Sequence, residues 1–368
     1  MKKVICSGKS TGYVGALVAV LILLGVPTLL LAHNPPECKP CCEEEESNAS
    51  HCKSEPAHYG ATPGAGSGNV YSERGEFYQR ITDLAIPGRP GAEGMLHYAF
   101  RRHYRSRLDA NGPLGHNWNH NYFERLDVQS DGVFHDNGLD RADFYAKTNT
   151  GDFVAPPEFF TTLLQQPDGT FELHSRGGTI QTFDTDGTLL AMQDRNGNFM
   201  TFHYNAQQQL IRVNDTLGRD IVYRYLPDGI NAGRLQEIED FIGRRVTFVY
   251  DNKGDLVAVT SPAVTGTPNR NDFPNGKTTR YTYSSGFGDE RLNHNLLTIT
   301  RPNEVADGGP PVLINVYGTD PHAFDFDRVM RQTYGGTNAS GVPAGGIFTF
   351  QICRVLGRTP MIRWAAHG

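Results

Sequence analysis

Apolar and polar residues alternate along much of the chain, a pattern that predicts β-strands rather than helices. After residue 32, no stretch carries the apolar heptads of a long helix or coiled coil. Near residue 100, Tyr98, Phe100 and Tyr104 fall on one face of an extended strand. A Gly-Pro-Leu-Gly turn follows, and a further strand begins at Trp118. These patterns predict a small β domain over residues 71–165.

A repeated unit dominates residues 166–335. The motif Asp-x-x-Gly-Asn/Arg begins at Asp194, Asp215 and Asp240, so successive copies are 21 and 25 residues apart. Each copy leads to two aromatic residues two positions apart and then to Leu-x-x-Val or Leu-x-x-Ile. The aromatic pairs are Phe202 and Tyr204, Tyr223 and Tyr225, Phe248 and Tyr250, and Tyr281 and Tyr283. The unit predicts an antiparallel hairpin of strand, loop, strand and turn.

The turn motif has a structural explanation. An Asp that opens a four-residue turn accepts hydrogen bonds from backbone N–H groups ahead of it, and we expect a positive φ at Gly218 and Gly243. The longer copy carries four extra residues in its turn over 226–233, where a hairpin tolerates insertion. Leu and Val three positions apart lie on opposite faces of a regular strand. The sequence leaves open whether a bulge brings them to one face or both faces are covered.

Composition and charge narrow the function. The 41 glycines and 22 prolines indicate a chain rich in turns, and the net charge of −6 excludes a globally basic nucleic-acid binder. A local basic face on the strand near residue 100 is expected to be solvated, with binding of nucleic acid or anionic glycan as the alternative. That face consists of His97, Arg101, His103, Arg105 and Arg107. We predict no nucleic-acid partner.

The N-terminus has the composition of a targeting segment. Lys2, Lys3 and Lys9 precede residues 13–32, which carry no charge. The 18 residues from Val14 to Leu31 would form a helix about 27 Å long. Residues 1–32 are therefore predicted to be a signal peptide or a membrane anchor, and residues 13–32 would contact the membrane if uncleaved. We expect the protein at the cell surface, anchored or secreted.

Residues 33–70 are predicted to be an acidic, Gly- and Pro-rich linker. Four cysteines fall in it, with two histidines nearby. The spacing admits a zinc site, but disulfides are favoured for an exported chain, and the pairing stays open. The cysteines are Cys38, Cys41, Cys42 and Cys52.

Two groups of motifs resemble the RHS-repeat, or YD-repeat, proteins. Residues 252–260 (Asn-Lys-Gly-Asp-Leu-Val-Ala-Val-Thr) and 327–332 (Asp-Arg-Val-Met-Arg-Gln) are similar to YD repeats. The stretch from Gly75 through Trp118 resembles the domain that commonly precedes such repeats. The resemblance implies an all-β fold whose antiparallel hairpins form part of a spiralling shell, and it extends to the teneurins, which are membrane-anchored adhesion proteins. Bacterial members are exported or surface-exposed, and some encapsulate a C-terminal toxin.

The chain departs from that family in carrying about six repeat copies, too few to close a shell, and in having a divergent tail over residues 336–368. We therefore predict a non-enzymatic scaffold that is a fragment of a larger shell, with the missing downstream repeats or a C-terminal effector domain as partner. The alternatives are a module that binds surface glycans or cell-surface proteins through Tyr-rich faces, and an extracellular hydrolase. No Gly-x-Ser-x-Gly, His-Glu-x-x-His or P-loop motif occurs, so no catalytic, cofactor-binding or metal-binding residue is predicted.

Overall fold

The computed structural model describes residues 69–71, 74–88, 96–139, 141–268, 272–335, 345–353 and 361–367, with the last two ranges given by backbone alone beyond residue 350. The predicted leader over 1–32 and the cysteine-containing part of the linker lie outside the described residues. Within them, strands account for most of the secondary structure, and every pairing between named strands is antiparallel.

The described N-terminal residues form three small sheets. One has the order β1-β2-β3-β6, a second β10-β9-β8-β7, and β4 and β5 form a short hairpin. The strands are β1 (Val70–Tyr71), β2 (Glu76–Ile86), β3 (Tyr98–Arg105), β4 (Asn111–Gly112), β5 (Gly115–His116), β6 (Trp118–His120), β7 (Arg125–Val128), β8 (Gly132–Asp136), β9 (Ala142–Lys147) and β10 (Phe153–Val154).

The remaining strands form one sheet of sixteen within the described residues, and each strand pairs with its neighbours in sequence. They are β11 (Thr161–Gln165), β12 (Phe171–Ser175), β13 (Ile180–Phe183), β14 (Leu189–Gln193), β15 (Phe199–Tyr204), β16 (Leu210–Asn214), β17 (Asp220–Tyr225), β18 (Leu235–Glu239), β19 (Arg245–Tyr250), β20 (Leu256–Thr260), β21 (Thr278–Tyr283), β22 (Leu296–Thr300), β23 (Leu313–Tyr317), β24 (Val329–Tyr334), β25 (Ile347–Cys353) and β26 (Met361–His367). A 3₁₀ helix (Glu290–Leu292) and α1 (Pro302–Asp307) lie in connections.

A β-bulge in each unit resolves the question of the Leu-x-x-Val spacing. Phe202 pairs with Val213 and Tyr204 pairs with Leu210, so the register shifts within the pair of strands. Ile211 is the extra residue and is 37% exposed, whereas Leu210 and Val213 are both buried. A bulge therefore places side chains three positions apart on one face. The same shift occurs before Phe183, Tyr225, Tyr250, Tyr283 and Tyr317.

The Asp turns form as the sequence predicts. In the second copy, Oδ1 of Asp215 accepts hydrogen bonds from the backbone N–H groups of Leu217 and Arg219, and Oδ2 accepts one from Nε of Arg219. Gly218 has φ 74° and Gly243 has φ 82°, which confirms the predicted left-handed conformation. Each turn aspartate is buried, so these carboxylates are occupied by their own turns.

In four of the described hairpins, the tyrosine at the end of the first strand binds the unit before it. Its hydroxyl donates a hydrogen bond to the backbone carbonyl of the bulge leucine of the preceding hairpin, a contact that we call the tyrosine rung. The rungs are Tyr225 to Leu210 (2.9 Å), Tyr250 to Leu235 (2.8 Å), Tyr283 to Leu256 (2.8 Å) and Tyr317 to Leu296 (3.2 Å). The aromatic spacing in the sequence thus encodes a contact between neighbouring units.

Two substitutions of Tyr225 separate what the hydroxyl of a rung contributes to stability from what the ring contributes. Tyr225→Phe removes only the hydroxyl and should lower the free energy of unfolding by about 1 kcal/mol. Tyr225→Ala also removes the half-buried ring and should cost about 3 kcal/mol. Chemical denaturation of both variants measures the two losses in the free energy of unfolding. Equal stability of Tyr225→Ala and the unsubstituted protein would contradict the register described above.

The expectation of a solvated basic face on β3 is wrong for two of its residues. His103 and Arg105 are buried, while Arg101 is exposed. Nη2 of Arg105 lies 2.7 Å from Oε2 of the buried Glu76, and Nδ1 of His103 lies 2.6 Å from the carbonyl oxygen of Leu139. Residues on both faces of β3 are buried, and a buried charge there requires a partner.

The tail extends the sheet beyond the sequence repeat. Strand β25 pairs with β24, and β26 pairs with β25, although the Asp turn motif is absent there. Backbone pairing needs only an extended chain with a suitable alternation, and Phe350 fits because its side chain is buried. The hairpin order of the backbone therefore continues past residue 335.

Candidate functional site: the interface between the N-terminal strands and the repeat sheet

Aromatic side chains join the N-terminal strands to the repeat sheet. Phe100 lies with its ring centroid 6.0 Å from those of both Tyr223 and Phe248, which are the first aromatics of two successive units. Further ring contacts join Tyr122 to Phe202 (5.2 Å) and Trp118 to Tyr281 (5.5 Å). The first aromatic of each unit thus faces the N-terminal strands, and a single hydrophobic core includes residues of both parts.

Buried hydroxyl and indole groups fix the alignment of this interface. The hydroxyl oxygens of Tyr98 and Tyr223 are 2.8 Å apart, and Nε1 of Trp118 donates to the hydroxyl of Tyr283 at 2.8 Å. Burial raises the pKa of Tyr98 and of Tyr223 well above the ordinary value for tyrosine. Both hydroxyls therefore stay neutral, and their hydrogen bonds specify one relative position of the two sheets.

A fully buried arginine lies at the centre of the interface. Nε of Arg102 lies 2.6 Å from Oδ2 of Asp83, and Nη2 donates to the hydroxyl of Tyr281 at 2.9 Å. The guanidinium lies 4.6 Å from the ring centroid of Trp118. Burial acts to lower the pKa of Arg102, but the attraction of Asp83 and Tyr281 outweighs it and holds the pKa above its ordinary value. The cation is thus retained, and it links both sheets.

The β4–β5 hairpin, residues 111–116, docks at the ends of the repeat strands. The carbonyl oxygen of Pro113 accepts a hydrogen bond from the backbone N–H of Leu235 (2.8 Å), and it lies 3.1 Å from the hydroxyl oxygen of Tyr250, whose proton it shares with the carbonyl of Leu235. The carbonyl oxygen of Gly112 accepts one from Nη1 of Arg234 (3.2 Å). The Gly-Pro-Leu-Gly turn therefore provides backbone acceptors to two repeat units.

The long copy of the repeat supplies part of the receiving surface. Nε of Arg234 donates to Oδ1 of Asn231 at 3.1 Å, and Nδ2 of Asn231 donates to the backbone carbonyl of Asp251 at 2.8 Å. Arg234 is thereby positioned to reach Gly112. The extra residues over 226–233 were predicted as a tolerated insertion, and they also hold a contact of the docked hairpin.

Two histidines that are far apart in sequence meet beside this hairpin. The rings of His116 and His294 are stacked, with centroids 3.5 Å apart and planes at 8°. The backbone carbonyl of His294 accepts a hydrogen bond from the hydroxyl of Tyr104 at 2.9 Å. In the sequence, neither histidine shows ligand spacing, and no local signal connects them. The fold alone brings them into contact.

The prediction of no catalytic, cofactor-binding or metal-binding residue stays a prediction. Across the part of the chain that the structure describes, no three His, Cys, Asp or Glu side chains are grouped so as to hold a metal ion. In the same ranges, no helix has both the length and the apolar character needed to cross a bilayer. The contacts described above make the interface between the N-terminal strands and the repeat sheet the candidate functional site.

Comparison with known proteins finds one matching family and one similar curated protein. Residues 69–144 match a family described as "Domain of unknown function (DUF6531)". The chain is 23% identical over 262 residues to double-stranded DNA deaminase toxin A of Burkholderia cenocepacia (strain H111), a match that covers 68% of this chain and 17% of that protein. The chain thus spans less than a fifth of the length of that curated relative.

Solved structures of toxin complexes are also among the matches. The Photorhabdus luminescens Tc holotoxin pore matches with 13% identity and a TM-score of 0.26, over 81% of this chain and 18% of that chain. TcdB2-TccC3-TEV matches with 9% identity and a TM-score of 0.24, over 69% of this chain and 16% of that chain. Superpositions at these TM-scores carry no argument of their own. In sequence, the chain is similar to a segment of a much longer bacterial toxin protein.

Proposed function

We propose that this chain is the N-terminal part of a non-enzymatic scaffold of the RHS/YD-repeat type, related to the teneurin-type shell. Further hairpin units would continue the sheet, and the assembly would enclose or present a C-terminal effector domain. The observation that carries this proposal is the tyrosine rung, because it recurs at four successive junctions and binds each of those hairpins to the one before. Such nearest-neighbour contacts are what an extendable repeat array needs.

The last described strand supports continuation of the sheet. Among the described residues, β26 pairs with β25 along one edge, and the order of the sheet ends there. An edge strand presents unpaired N–H and C=O groups, which favour pairing with another strand. A following hairpin of the same type would satisfy these groups.

The N-terminal strands have a defined part in the proposed scaffold. They cover the aromatic face of four successive units, through ring contacts to Phe202, Tyr223, Phe248 and Tyr281. A repeat sheet whose core face were open would expose these aromatic and leucine side chains to water. We infer that the N-terminal strands seal the beginning of the shell.

The reading frame and its genomic neighbourhood test the proposal. Sequencing the DNA beyond codon 368 should show further copies of the aromatic pair followed by Leu-x-x-Val, and then a domain unlike the repeats. The units should carry tyrosine at the second aromatic position. A neighbourhood that encodes neither further units nor an effector domain would contradict the proposal.

An activity assay separates a scaffold from an enzyme. The curated relative is named a double-stranded DNA deaminase toxin, and the match covers only 17% of it. We propose that the deaminase function of its name does not extend to this chain. Incubation of the purified chain with double-stranded DNA, followed by sequencing, should reveal no base conversion. Conversion above a buffer control would overturn the non-enzymatic assignment.

Export and surface location are further parts of the proposal. Three lysines before the uncharged segment 13–32 support an export signal or anchor. Fractionation of epitope-tagged protein should recover it from the membrane, the surface or the medium, and deletion of residues 1–32 should retain it in the cytosol. Recovery of the full chain from the cytosol alone would remove this part of the proposal.

Binding of glycans through Tyr-rich faces is the less favoured alternative. A stacking platform requires exposed rings, whereas Tyr223 and Tyr281 are buried, and the hydroxyls of the rung tyrosines are occupied by leucine carbonyls. A glycan array probed with the purified chain should therefore remain at background. Saturable binding that is lost in Tyr225→Ala but kept in Tyr225→Phe would support the alternative instead.

A further inference from the structure

The N-terminal strands use the same backbone donor in three repeat units. In each, the residue that pairs with the rung tyrosine at the bulge donates its backbone N–H to an oxygen of the N-terminal part. These bonds run from Leu235 to the carbonyl of Pro113 (2.8 Å), from Leu296 to the hydroxyl of Tyr104 (2.9 Å) and from Val329 to the carbonyl of Gly75 (2.8 Å). Because the same backbone group serves in different units, these bonds hold the N-terminal strands in place without distinguishing one unit from another.

The side chains that face the N-terminal strands do differ from unit to unit. In order along the sheet they are Phe202, Tyr223, Phe248 and Tyr281, which we call the facing row. All four are buried. Phenylalanine and tyrosine thus alternate in a row whose rings otherwise have the same position in each hairpin.

Both hydroxyl groups of the facing row lie opposite polar groups of the N-terminal strands. The hydroxyl oxygen of Tyr223 is 2.8 Å from that of Tyr98. The hydroxyl of Tyr281 accepts a hydrogen bond from Nη2 of Arg102 at 2.9 Å. Tyr98 and Arg102 are each 1% exposed, so neither can replace its partner with bulk water.

The two phenylalanines lie opposite rings that need no polar partner from the repeat sheet. The ring centroid of Phe248 is 6.0 Å from that of Phe100. Phe202 contacts the ring of Tyr122 at 5.2 Å, and the hydroxyl of Tyr122 already accepts a hydrogen bond from the backbone N–H of Ala99 at 3.0 Å. Hydroxyl groups therefore occur in the row only where the N-terminal strands supply a partner.

We propose that the order Phe-Tyr-Phe-Tyr in the facing row is a register code, which selects the units on which the N-terminal strands dock. Apolar contact is non-directional, so stacking of ring against ring would survive a displacement by one unit. A buried hydroxyl or guanidinium group is satisfied only at one position. The proposal concerns the placement of the N-terminal strands and holds whether or not the chain belongs to a larger shell.

Displacement by one unit would leave buried polar groups without partners. Towards the earlier units, Tyr98 would face Phe202 and Arg102 would face Phe248. Towards the later units, Tyr98 would face Phe248 and Arg102 would lie beyond the row. Each buried group that loses its partner should disfavour the displaced arrangement by roughly tenfold. Displacement by two units would instead uncover two of the four rings, at a cost in apolar burial.

Inversion of the facing row tests the code without changing the composition of the row. The inverted variant presents hydroxyl groups to Tyr98 and Arg102 only if the N-terminal strands lie one unit earlier. It combines Phe202→Tyr, Tyr223→Phe, Phe248→Tyr and Tyr281→Phe. The control is Phe241→Tyr, which adds a hydroxyl at a site that is 44% exposed and outside the row.

Distances between spin labels report where the N-terminal strands lie on the full chain. One nitroxide is attached through an encoded non-natural amino acid at the exposed site of Arg101 on β3. The second is placed at exposed Phe199 on β15 or, in a separate sample, at exposed Arg331 on β24. These two sites lie towards opposite ends of the sheet, so pulsed electron paramagnetic resonance measures displacement in either direction.

The code predicts distance changes of opposite sign. The unsubstituted protein and the control should each give one distance per label pair. In the inverted variant, a second population should appear in which the pair 101–199 is shorter and the pair 101–331 is longer, each by up to about 10 Å, because one unit spans two strand spacings. A folded inverted variant that keeps both distances of the unsubstituted protein would overturn the proposal.

A double-mutant cycle decides the question if the inverted variant does not fold. Tyr98→Phe and Tyr223→Phe should be coupled, so that the unfolding equilibrium constant of the double variant differs about fivefold from the value expected for independent effects. Tyr98→Phe and Tyr281→Phe should show no coupling, because the hydroxyl of Tyr281 is bound by Arg102. Independent effects in both cycles, or equal coupling in both, would contradict the code.

Discussion

Substitution of Arg102 by methionine is expected to lower the free energy of unfolding by about 3–5 kcal/mol, because it leaves the carboxyl group of Asp83 buried without its cation. The guanidinium also donates to the hydroxyl of Tyr281 in the repeat sheet and packs against Trp118 of its own sheet, so its loss also weakens the contact between the two sheets. Denaturant unfolding monitored by circular dichroism measures the change.

Two further variants make this result specific. Arg101→Met, on the same strand but exposed, should alter stability by no more than about 0.5 kcal/mol. The double variant Arg102→Met with Asp83→Leu should recover much of the loss, since it removes the unpaired charge as well. If the single Arg102→Met variant lies within about 1 kcal/mol of the unsubstituted protein, the ion pair does not hold the interface.

Alanine at Gly187 is expected to destabilise the protein by about 3 kcal/mol or more, and alanine at Gly218 by only about 1 kcal/mol. Both glycines have similar conformations, with φ 84° and 74°. A Cβ at Gly187 would lie 2.0 Å from the carbonyl oxygen of Leu126. A Cβ at Gly218 would have no described heavy atom within 4 Å, apart from those of its chain neighbours. The pair therefore separates backbone strain from the close approach of the N-terminal strands.

Where Gly187 approaches Leu126, a backbone hydrogen bond joins the repeat region to the N-terminal strands. The backbone N–H of Leu126 donates to the carbonyl oxygen of Gly187 at 2.8 Å. A Cβ at Gly187 would push Leu126 away and break this bond. Thermal and chemical unfolding of both variants gives the comparison, and equal losses for Gly187→Ala and Gly218→Ala would show that the contact contributes little.

Local features of the fold could be predicted from the sequence because each has a local cause. Alternation of apolar residues predicts the strands, and the Asp-x-x-Gly motif predicts the turns and the positive φ of Gly218 and Gly243, as observed. The bulge could not be assigned, since a Leu-x-x-Val spacing fits either a bulge or a strand covered on both faces. Only the observed pairing of Tyr204 with Leu210 decides between them.

The interface could not be predicted because its partners are distant in sequence. Arg102 occupies the same alternating phase as the apolar Phe100 and Tyr104, which was a usable signal that it points into the core. Its partners Asp83 and Tyr281 carry no pattern that connects them to it. The same holds for the stack of His116 on His294, which depends on where the repeat sheet brings its connections.

For the tyrosines at the second aromatic position, the sequence predicts the face of the sheet but not the hydrogen bond that each hydroxyl makes. The sequence places Tyr225, Tyr250 and Tyr283 on one side of the sheet with the preceding aromatic. It does not indicate that each hydroxyl bonds to a leucine carbonyl one hairpin away. That contact depends on the twist and stagger of neighbouring strands, which sequence periodicity does not specify.

An electron cryo-microscopy map of this chain together with the polypeptide encoded downstream of it tests the central claim most directly. We expect antiparallel strands to continue the sheet beside β26, which is its last strand among the described residues. We also expect a tyrosine rung between each new unit and the last, and the N-terminal strands over the aromatic face at the start. A map in which β26 pairs with no further strand, or in which the N-terminal strands lie apart from the repeat sheet, would contradict it.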